Sequence, residues 1–170
     1  MKRTILVAIA GCALAVASCK KEEAPTPADP GSATITGVIL ADIDQEADSN
    51  DFGMWMEMET PEYPPSGTKI TFQTSAASLD ATPGGGTYET LSWSTTIGAD
   101  GSYTITVPAI NRPYDIDVFF DEFSADYIEF GGTTYENARF AYDDGGVAVQ
   151  VANIFDGGQY VLNGVYRYDP

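Results

Sequence analysis

The chain has 170 residues, with 25 acidic and 8 basic side chains, no histidine and two cysteines. Its hydrophobic fraction of 44% is enough for a packed core, and its length is typical of one domain. The absence of histidine excludes Ser-His-Asp and Cys-His catalysis, and it excludes every metal site that needs imidazole ligands.

Residues 1–18 have the pattern of an export signal. Basic residues at the start precede an apolar stretch over residues 4–17, which has the size of a signal-peptide core and is too short to span a bilayer. The stretch ends in Val-Ala-Ser-Cys at 16–19, which resembles the recognition sequence of bacterial lipoprotein signals. The resemblance implies cleavage before Cys19 and acylation of that cysteine, so that several acyl chains anchor the protein in a membrane.

Alternatives remain open at this boundary. The residues Ile-Ala-Gly-Cys at 9–12 fit the same pattern, although cleavage there leaves a shorter apolar core. An ordinary secretory signal followed by an incidental cysteine is also compatible with the sequence. The two lysines and two glutamates at 20–23 resemble the export signal of Bacteroidota-type surface lipoproteins. That resemblance implies a lipid anchor in the outer membrane with the domain exposed at the cell surface, and a periplasm-facing anchor is the alternative.

Residues 19–32 are predicted to form a tether, and residues 33–170 a single domain. The tether contains three prolines and no large apolar side chain, which is typical of an extended linker. The domain carries 22 acidic and four basic side chains, hence a formal charge of −18. Such a field repels nucleic acids and favours cations or basic partners, so we expect no nucleic-acid partner.

The domain has the pattern of strands and turns throughout. Polar and apolar residues alternate over 69–74, 102–107, 114–120 and 147–151, which is the period of half-buried strands. The composition predicts further strands at 33–41, 88–97, 135–142 and 159–168, and a hairpin turn at 98–101. Eight or nine strands joined by short turns predict an all-β fold, an antiparallel sandwich or barrel.

Residues 33 to about 121 resemble the carboxypeptidase-regulatory-like and transthyretin-like (prealbumin-like) sandwiches. The run ITGVIL at 35–40 matches the opening strand of these families, PSGTKITF at 65–72 the second strand, and TTIGADGSYTI at 95–105 a turn and the strand after it. This chain departs from the pattern by a long acidic insertion between the first two strands, and it has no matching counterpart after Phe123. The resemblance implies a prealbumin-like or Ig-like β-sandwich that serves as a scaffold or interaction module.

The acidic insertion holds the richest set of candidate metal ligands: Asp42, Asp44, Glu46, Asp48 and Asp51. Carboxylates at alternate positions can surround a hard cation such as Ca²⁺. The segment is not an EF-hand loop, because Ala47 and Gly53 stand where such a loop needs glycine and glutamate. Two interpretations therefore remain, a calcium site with these five ligands or a solvated loop without any cofactor.

Trp55 follows the insertion and is a candidate for ligand binding, since a sugar can stack on its ring. Tyr166 and Tyr168 are further candidates, and all three can equally be sandwich core.

No arrangement of carboxylates, serine or lysine stands out as catalytic, so the sequence predicts a non-enzymatic surface lipoprotein. Its predicted role is an adhesion, assembly or accessory scaffold module, held on the membrane through Cys19, with an envelope protein or glycan as partner. The alternative is a carbohydrate-binding or small-ligand-binding module that can depend on Ca²⁺.

Overall fold

Ten strands and one short helix make up the described part of the chain. The computed structural model describes residues 30–46, 61–80, 83–145 and 147–170. No helix among these residues is long and apolar enough to cross a membrane. The elements are, in chain order, β1 (Gly31–Ala41), β2 (Lys69–Ser75), α1 (Ala76–Leu79), β3 (Thr90–Thr96), β4 (Ser102–Ala109), β5 (Tyr114–Phe120), β6 (Phe123–Glu129), β7 (Thr133–Tyr142), β8 (Val149–Ile154), β9 (Gln159–Val161) and β10 (Gly164–Tyr168).

The strands form two sheets around one core. Sheet 1 has the order β4-β1-β10-β7-β6, with β9 also paired to β1, and sheet 2 has the order β3-β2-β5-β8. Buried residues of both sheets belong to the same apolar cluster, in which the ring centroids of Phe72 on β2 and Tyr103 on β4 lie 6.2 Å apart. The prediction of an all-β sandwich, compatible with the Ig-like or prealbumin-like type, is therefore confirmed.

The alternation in the sequence places the expected side chains in this core. On β4 the apolar positions from Tyr103 to Val107 are buried and the two intervening threonines are exposed. On β5, Tyr114, Ile116 and Val118 are buried in the same way, while Asp115 is exposed. Because successive side chains of a strand point to opposite faces, one face of each strand packs inward and the other contacts water.

The pairing of β1 differs from the antiparallel arrangement that was expected throughout. β1 is antiparallel to β4, but it is parallel to β9 over its first half and to β10 over its second half. A parallel pair needs a crossover connection, and here everything from β2 to β8 lies between the paired strands. The two ends of the domain thus meet side by side in sheet 1, which no local pattern encodes.

The predicted turn at 98–101 is present, but it does not form a hairpin. The amide of Gly98 donates to the carbonyl of Ser102 at 2.8 Å, while β3 pairs with β2 and β4 pairs with β1. The turn therefore carries the chain from sheet 2 to sheet 1. Gly101 has φ +72°, and a Cβ there would lie 2.4 Å from the carbonyl oxygen of Ile39. Only glycine fits this position, because the turn packs directly on the backbone of β1.

Strand β6 is absent from the sequence-based prediction. It forms a hairpin with β7, and the register of the pair shifts between Ala125 and Tyr127. The bulge lies on β7, where Asn137 has a positive φ of 53° and its amide donates to Oδ1 of Asp126 at 3.1 Å. The extra residue of the bulge belongs to β7, whereas β6 keeps the alternation of inward and outward positions from Phe123 to Tyr127, so the period of two was available in the sequence.

Candidate functional site

Four of the predicted site residues lie outside the described residues: Cys19, Asp48, Asp51 and Trp55. The signal peptide and nearly all of the tether lie outside them as well. Asp42, Asp44 and Glu46 are described and lie in the segment that directly follows β1. The structure therefore locates three of the five predicted calcium ligands, and the calcium site as a whole stays a prediction.

The acidic segment 42–46, which we call the strap, crosses one end of sheet 1. The amide of Asp42 donates to the carbonyl of Tyr166 on β10 at 3.0 Å. Further along, the amide of Ile128 on β6 donates to the carbonyl of Ile43, and the amide of Gln45 donates to the carbonyl of Ile128. The strap thus connects the end of β1 to the outer edge of β6 and covers an otherwise unpaired strand edge.

Asp42 is buried, with 3% of its surface exposed. Its Oδ2 lies 3.3 Å from Nη1 of Arg167 and accepts a hydrogen bond from Nε2 of Gln45 at 3.2 Å. The same arginine donates from Nε to Oδ2 of Asp143 at 2.7 Å, and this bond holds the pKa of Asp143 below its usual value. Arg167 therefore joins the strap to the end of β7, and it compensates the charge of a carboxylate that burial would otherwise strongly destabilise.

The other carboxylates around the strap bind backbone amides. Oε2 of Glu62 accepts from the amides of Ile43 and Asp44, both at 2.8 Å. Oδ1 of Asp44 accepts from the amide of Glu46 at 3.1 Å, and Oε2 of Glu46 accepts from the amide of Gly131 at 2.8 Å. Glu62 was not among the predicted residues, because it follows the insertion by many positions and no motif marks it.

These contacts give each described carboxylate of the strap a structural partner. Among the described residues, no group of three or more acidic or cysteine side chains is arranged to hold a metal ion. A cation at the predicted site would compete with the amide and guanidinium bonds of Asp42, Asp44 and Glu46. Asp48 and Asp51, the other two predicted ligands, lie outside the described residues.

The far end of the domain carries a cluster of tyrosines. The rings of Tyr127, Tyr135 and Tyr168 are nearly parallel to one another, with centroids 4.6 to 5.9 Å apart. Tyr135 is 38% exposed and donates from its hydroxyl to Oε2 of Glu129 at 3.0 Å, a bond that raises the pKa of the tyrosine. Burial, followed by the charge of Asp42, raises the pKa of Tyr127. We call these three residues the tyrosine cluster.

The two described candidates for sugar stacking, Tyr166 and Tyr168, differ in solvent exposure. Tyr166 belongs to the core with no exposed surface, and its hydroxyl donates to the carbonyl of Asp121 at 2.7 Å. Of the two interpretations of Tyr166, a sugar-stacking residue or sandwich core, the structure supports the core, because this side chain lies on the inward face of β10. Tyr168 is partly exposed and belongs to the tyrosine cluster.

The tyrosine cluster lies at the opposite end of the domain from the predicted tether. β1 runs from Gly31, which lies within the predicted tether, to Ala41, and Tyr142 on β7 lies level with Ala41 across β10. From there β7 continues to Thr133, so the turn at 130–132 extends beyond the end of β1. We call this turn the tip, and Phe130 within it is 46% exposed.

An open cleft of about 410 Å³ lies where residues of β5, β7 and β8 meet. It exists because β8 begins at Val149, opposite Val118, whereas β5 continues to Phe120. Among the described residues, the last two positions of β5 therefore have a neighbour on the β2 side and none on the β8 side. The aromatic and acidic part of the lining is Phe119, Phe120, Tyr142, Asp117, Glu122 and Asp144, and the remainder is valine and alanine.

The aromatic part of the cleft is well ordered by its contacts. The rings of Phe120 and Tyr142 are parallel, with centroids 3.8 Å apart, and both meet the ring of Tyr166 edge to face. The hydroxyl of Tyr142 donates to the carbonyl of Asn163 at 3.2 Å. Burial raises the pKa of Tyr142, and nearby carboxylates raise it further, so this phenol stays neutral at physiological pH.

Polar contacts hold carboxylates of the cleft in place, Glu122 and Asp117 among them. Glu122 receives two hydrogen bonds from Arg139, at 2.7 Å from Nε and 2.5 Å from Nη2, and this pairing lowers the pKa of Glu122. Oδ1 of Asp117 accepts from Nε2 of Gln150 at 2.6 Å. The cleft thus combines an aromatic floor with a negatively charged rim.

No family model matches the chain, and no curated protein matches it. Solved structures that resemble it are those of the shaft pilin SpaA from Lactobacillus rhamnosus GG and of a double mutant of that pilin. Each is 10% identical to this chain, covers 83% of it and has a TM-score of 0.32. The match covers 52% of the pilin chains, so this chain spans about half of their length.

Proposed function

We propose that this protein is a lipid-anchored module of the outer membrane that faces outward and acts by attachment rather than by catalysis. The membrane is its first partner, through acylated Cys19, and an envelope protein or glycan is its second. The signal-like residues 1–18 and the charged residues after Cys19 support the location. The absence of histidine supports a non-enzymatic role.

The observation that carries this proposal is the position of the tip relative to the tether. The two ends of β1 lie roughly 33 Å apart, at about 3.3 Å per residue, and the tip lies beyond the end of β1 that is remote from the tether. The predicted tether residues before β1, residues 19–30, add reach up to about 37 Å when they are extended. Exposed aromatic side chains at the end remote from an anchor suit contact with a partner outside the cell.

The anchor is tested by replacing Cys19. In cells fed a radiolabelled fatty acid, the natural chain is expected to carry label, and Cys19→Ala is expected to lose it. Cys12→Ala is the matched control, because it removes the other candidate acylation site, and it should keep the label. Label that follows Cys12 instead would contradict the assignment. Protease treatment of intact cells should then degrade the domain if it faces outward.

The attachment role is tested by photocrosslinking at the tip. Phe130 and Phe155 have similar exposures of 46% and 49% but lie at opposite ends of the domain, since Asp156 binds the amide of Ser32. Each is replaced in turn by p-benzoylphenylalanine, and intact cells are irradiated. We expect crosslinked products from position 130 and none, or far fewer, from position 155. Equal crosslinking at both positions, or none at either, would argue against a partner at the tip.

A second candidate function is carbohydrate binding, and the tyrosine cluster favours it. Aromatic rings beside a carboxylate are a common arrangement for stacking a sugar and accepting its hydroxyl bonds, and Tyr135 and Glu129 provide both. Trp55 stays a predicted contributor. Titration of a glycan panel with intrinsic fluorescence detection should show saturation for the natural chain and loss in Tyr135→Ala. Tyr88→Ala, a half-buried tyrosine outside the cluster, serves as control.

Dependence on Ca²⁺ belongs to this second candidate. Melting curves of the chain in EDTA, Ca²⁺ and Mg²⁺ test it, because a ligand that binds only the folded state raises Tm according to its concentration relative to Kd. The expected result is a rise with Ca²⁺ alone that is lost in the Asp42→Asn/Asp44→Asn double variant. Identical curves would leave the strap as a purely structural element.

A further inference from the structure

We propose that the cleft between β5, β7 and β8 binds a small organic cation, specifically an alkylammonium group. The site is separate from the tip, the strap and the tyrosine cluster, and the proposal does not depend on the membrane anchor. It rests on the shape of the cleft, the chemistry of its lining and the charge of the domain around it.

The lining has the two elements that recognise an ammonium group. Phe120 and Tyr142 form a stacked aromatic pair, and Phe119, which leaves the opposite face of β5, also lines the cleft and is 53% exposed. Ring faces attract cations through their quadrupole. Around the rings stand the three carboxylates Asp117, Glu122 and Asp144, and no basic side chain of the described chain lines the cleft. A neutral ligand would use the rings but gain nothing from the negative charge of the rim.

The surrounding charge reinforces this selectivity. Arg139 binds Glu122 at the edge of the cleft and offsets part of its charge, but the arginine lies outside the lining itself. The domain as a whole carries a formal charge of −18, which raises the local concentration of cations at a partly enclosed site. Anionic ligands are therefore excluded, and cationic ones are concentrated.

The size and chemistry favour a small organic cation over a metal ion. A volume of about 410 Å³ falls in the range of small-molecule sites, roughly 300–1,000 Å³. A hard cation such as Ca²⁺ needs six or more oxygen ligands at short distance, whereas no three carboxylates of the described chain are gathered closely enough to hold a metal. An alkylammonium group instead fills space with its methyl or methylene groups and interacts over longer distances.

The test uses choline and its neutral isostere 3,3-dimethylbutan-1-ol, which have nearly the same shape and differ in charge. Isothermal titration calorimetry of the full chain in mild detergent should show choline binding at least about tenfold more tightly than the alcohol. Asp144→Asn and Phe120→Leu should each weaken choline binding severalfold. Glu136→Gln removes the same charge from an exposed position several residues further along β7, and it should leave the affinity unchanged.

Two results would overturn the proposal. Equal affinity for choline and the alcohol would mean that the cleft recognises shape alone. Absence of choline binding at about 50 mM, with Nα-acetyl-lysinamide also inactive, would mean that the cleft takes no ammonium group. Melting curves of each variant are recorded in parallel, and Phe119→Leu at the exposed position replaces Phe120→Leu if the latter does not fold.

Discussion

Glu62 holds the strap through two hydrogen bonds, and its removal makes a sharp test of the structure. Glu62 accepts hydrogen bonds from the amides of Ile43 and Asp44, both at 2.8 Å and both partly buried. Glu62→Ala leaves these two donors without that acceptor, and each unsatisfied donor costs about 1–3 kcal/mol. Allowing for water that enters the space of the lost side chain, we expect a loss of about 2–4 kcal/mol in the free energy of unfolding.

For a domain of this size about 1 kcal/mol shifts Tm by roughly 3 °C, so Glu62→Ala should lower Tm by roughly 6–12 °C. Glu62→Gln retains one oxygen acceptor and should cost about 1 kcal/mol, since neutral hydrogen bonds are weaker than charged ones. Glu136→Ala is the control, because Glu136 is an exposed glutamate, and its Tm should change little.

Hydrogen exchange measured on the same variants locates the effect. In Glu62→Ala the amides of Ile43, Asp44 and Ile128 should exchange much faster, because the strap detaches from the edge of β6, while amides in β4 should keep their rates. A shift in Tm below about 2 °C together with unchanged exchange at these amides would refute the assignment of Glu62 as the group that holds the strap.

Two further predictions concern a close backbone contact and the response to pH. Gly37→Ala should destabilise the domain by about 3 kcal/mol or more, since a Cβ at that position would lie 1.9 Å from the carbonyl oxygen of Leu162, whereas Gly85→Ala meets open space and should leave Tm nearly unchanged. Glu122 has a lowered pKa because of Arg139, so the difference in Tm between the natural chain and Glu122→Gln should be present above about pH 4.5 and disappear as the pH falls through that lowered pKa. A difference that persists unchanged at pH 2 would contradict the ion pair as its source.

Much of the fold follows from local patterns in the sequence. The alternation on β4 and β5 predicts both the strands and the residues that face the core, because the period of two is a property of the extended chain itself. The turn at 98–101 is also a local feature, since Gly101 readily adopts its positive φ, but its packing on β1 and its passage between two sheets instead of a hairpin depend on distant residues. β6 also alternates apolar and polar residues from Phe123 to Tyr127, so its pattern was as local as that of β4 and β5, although it was not recognised as a strand.

The candidate sites could be predicted from the sequence far less well than the strands. The acidic insertion predicts a place for carboxylates, but the role of Asp42 depends on Arg167, which lies 125 positions away. Tyr166 and Tyr168 are two residues apart on one strand, yet one is fully buried and the other partly exposed, because only the second lies near the open end of sheet 1. No local pattern distinguishes them.

The sequence by itself determined the signal-like leader, the acidic character, the strand composition and the inward face of most strands. Each of these depends on neighbouring residues, whose preferences act along a few positions of chain. The tertiary structure alone decided that β1 pairs in parallel with β10, that Glu62 binds the strap, and that β8 begins late enough to leave a cleft beside Phe120 and Tyr142. These features join residues distant in the chain, and they arise from the packing of the whole domain, where many weak contacts together select one arrangement of strands.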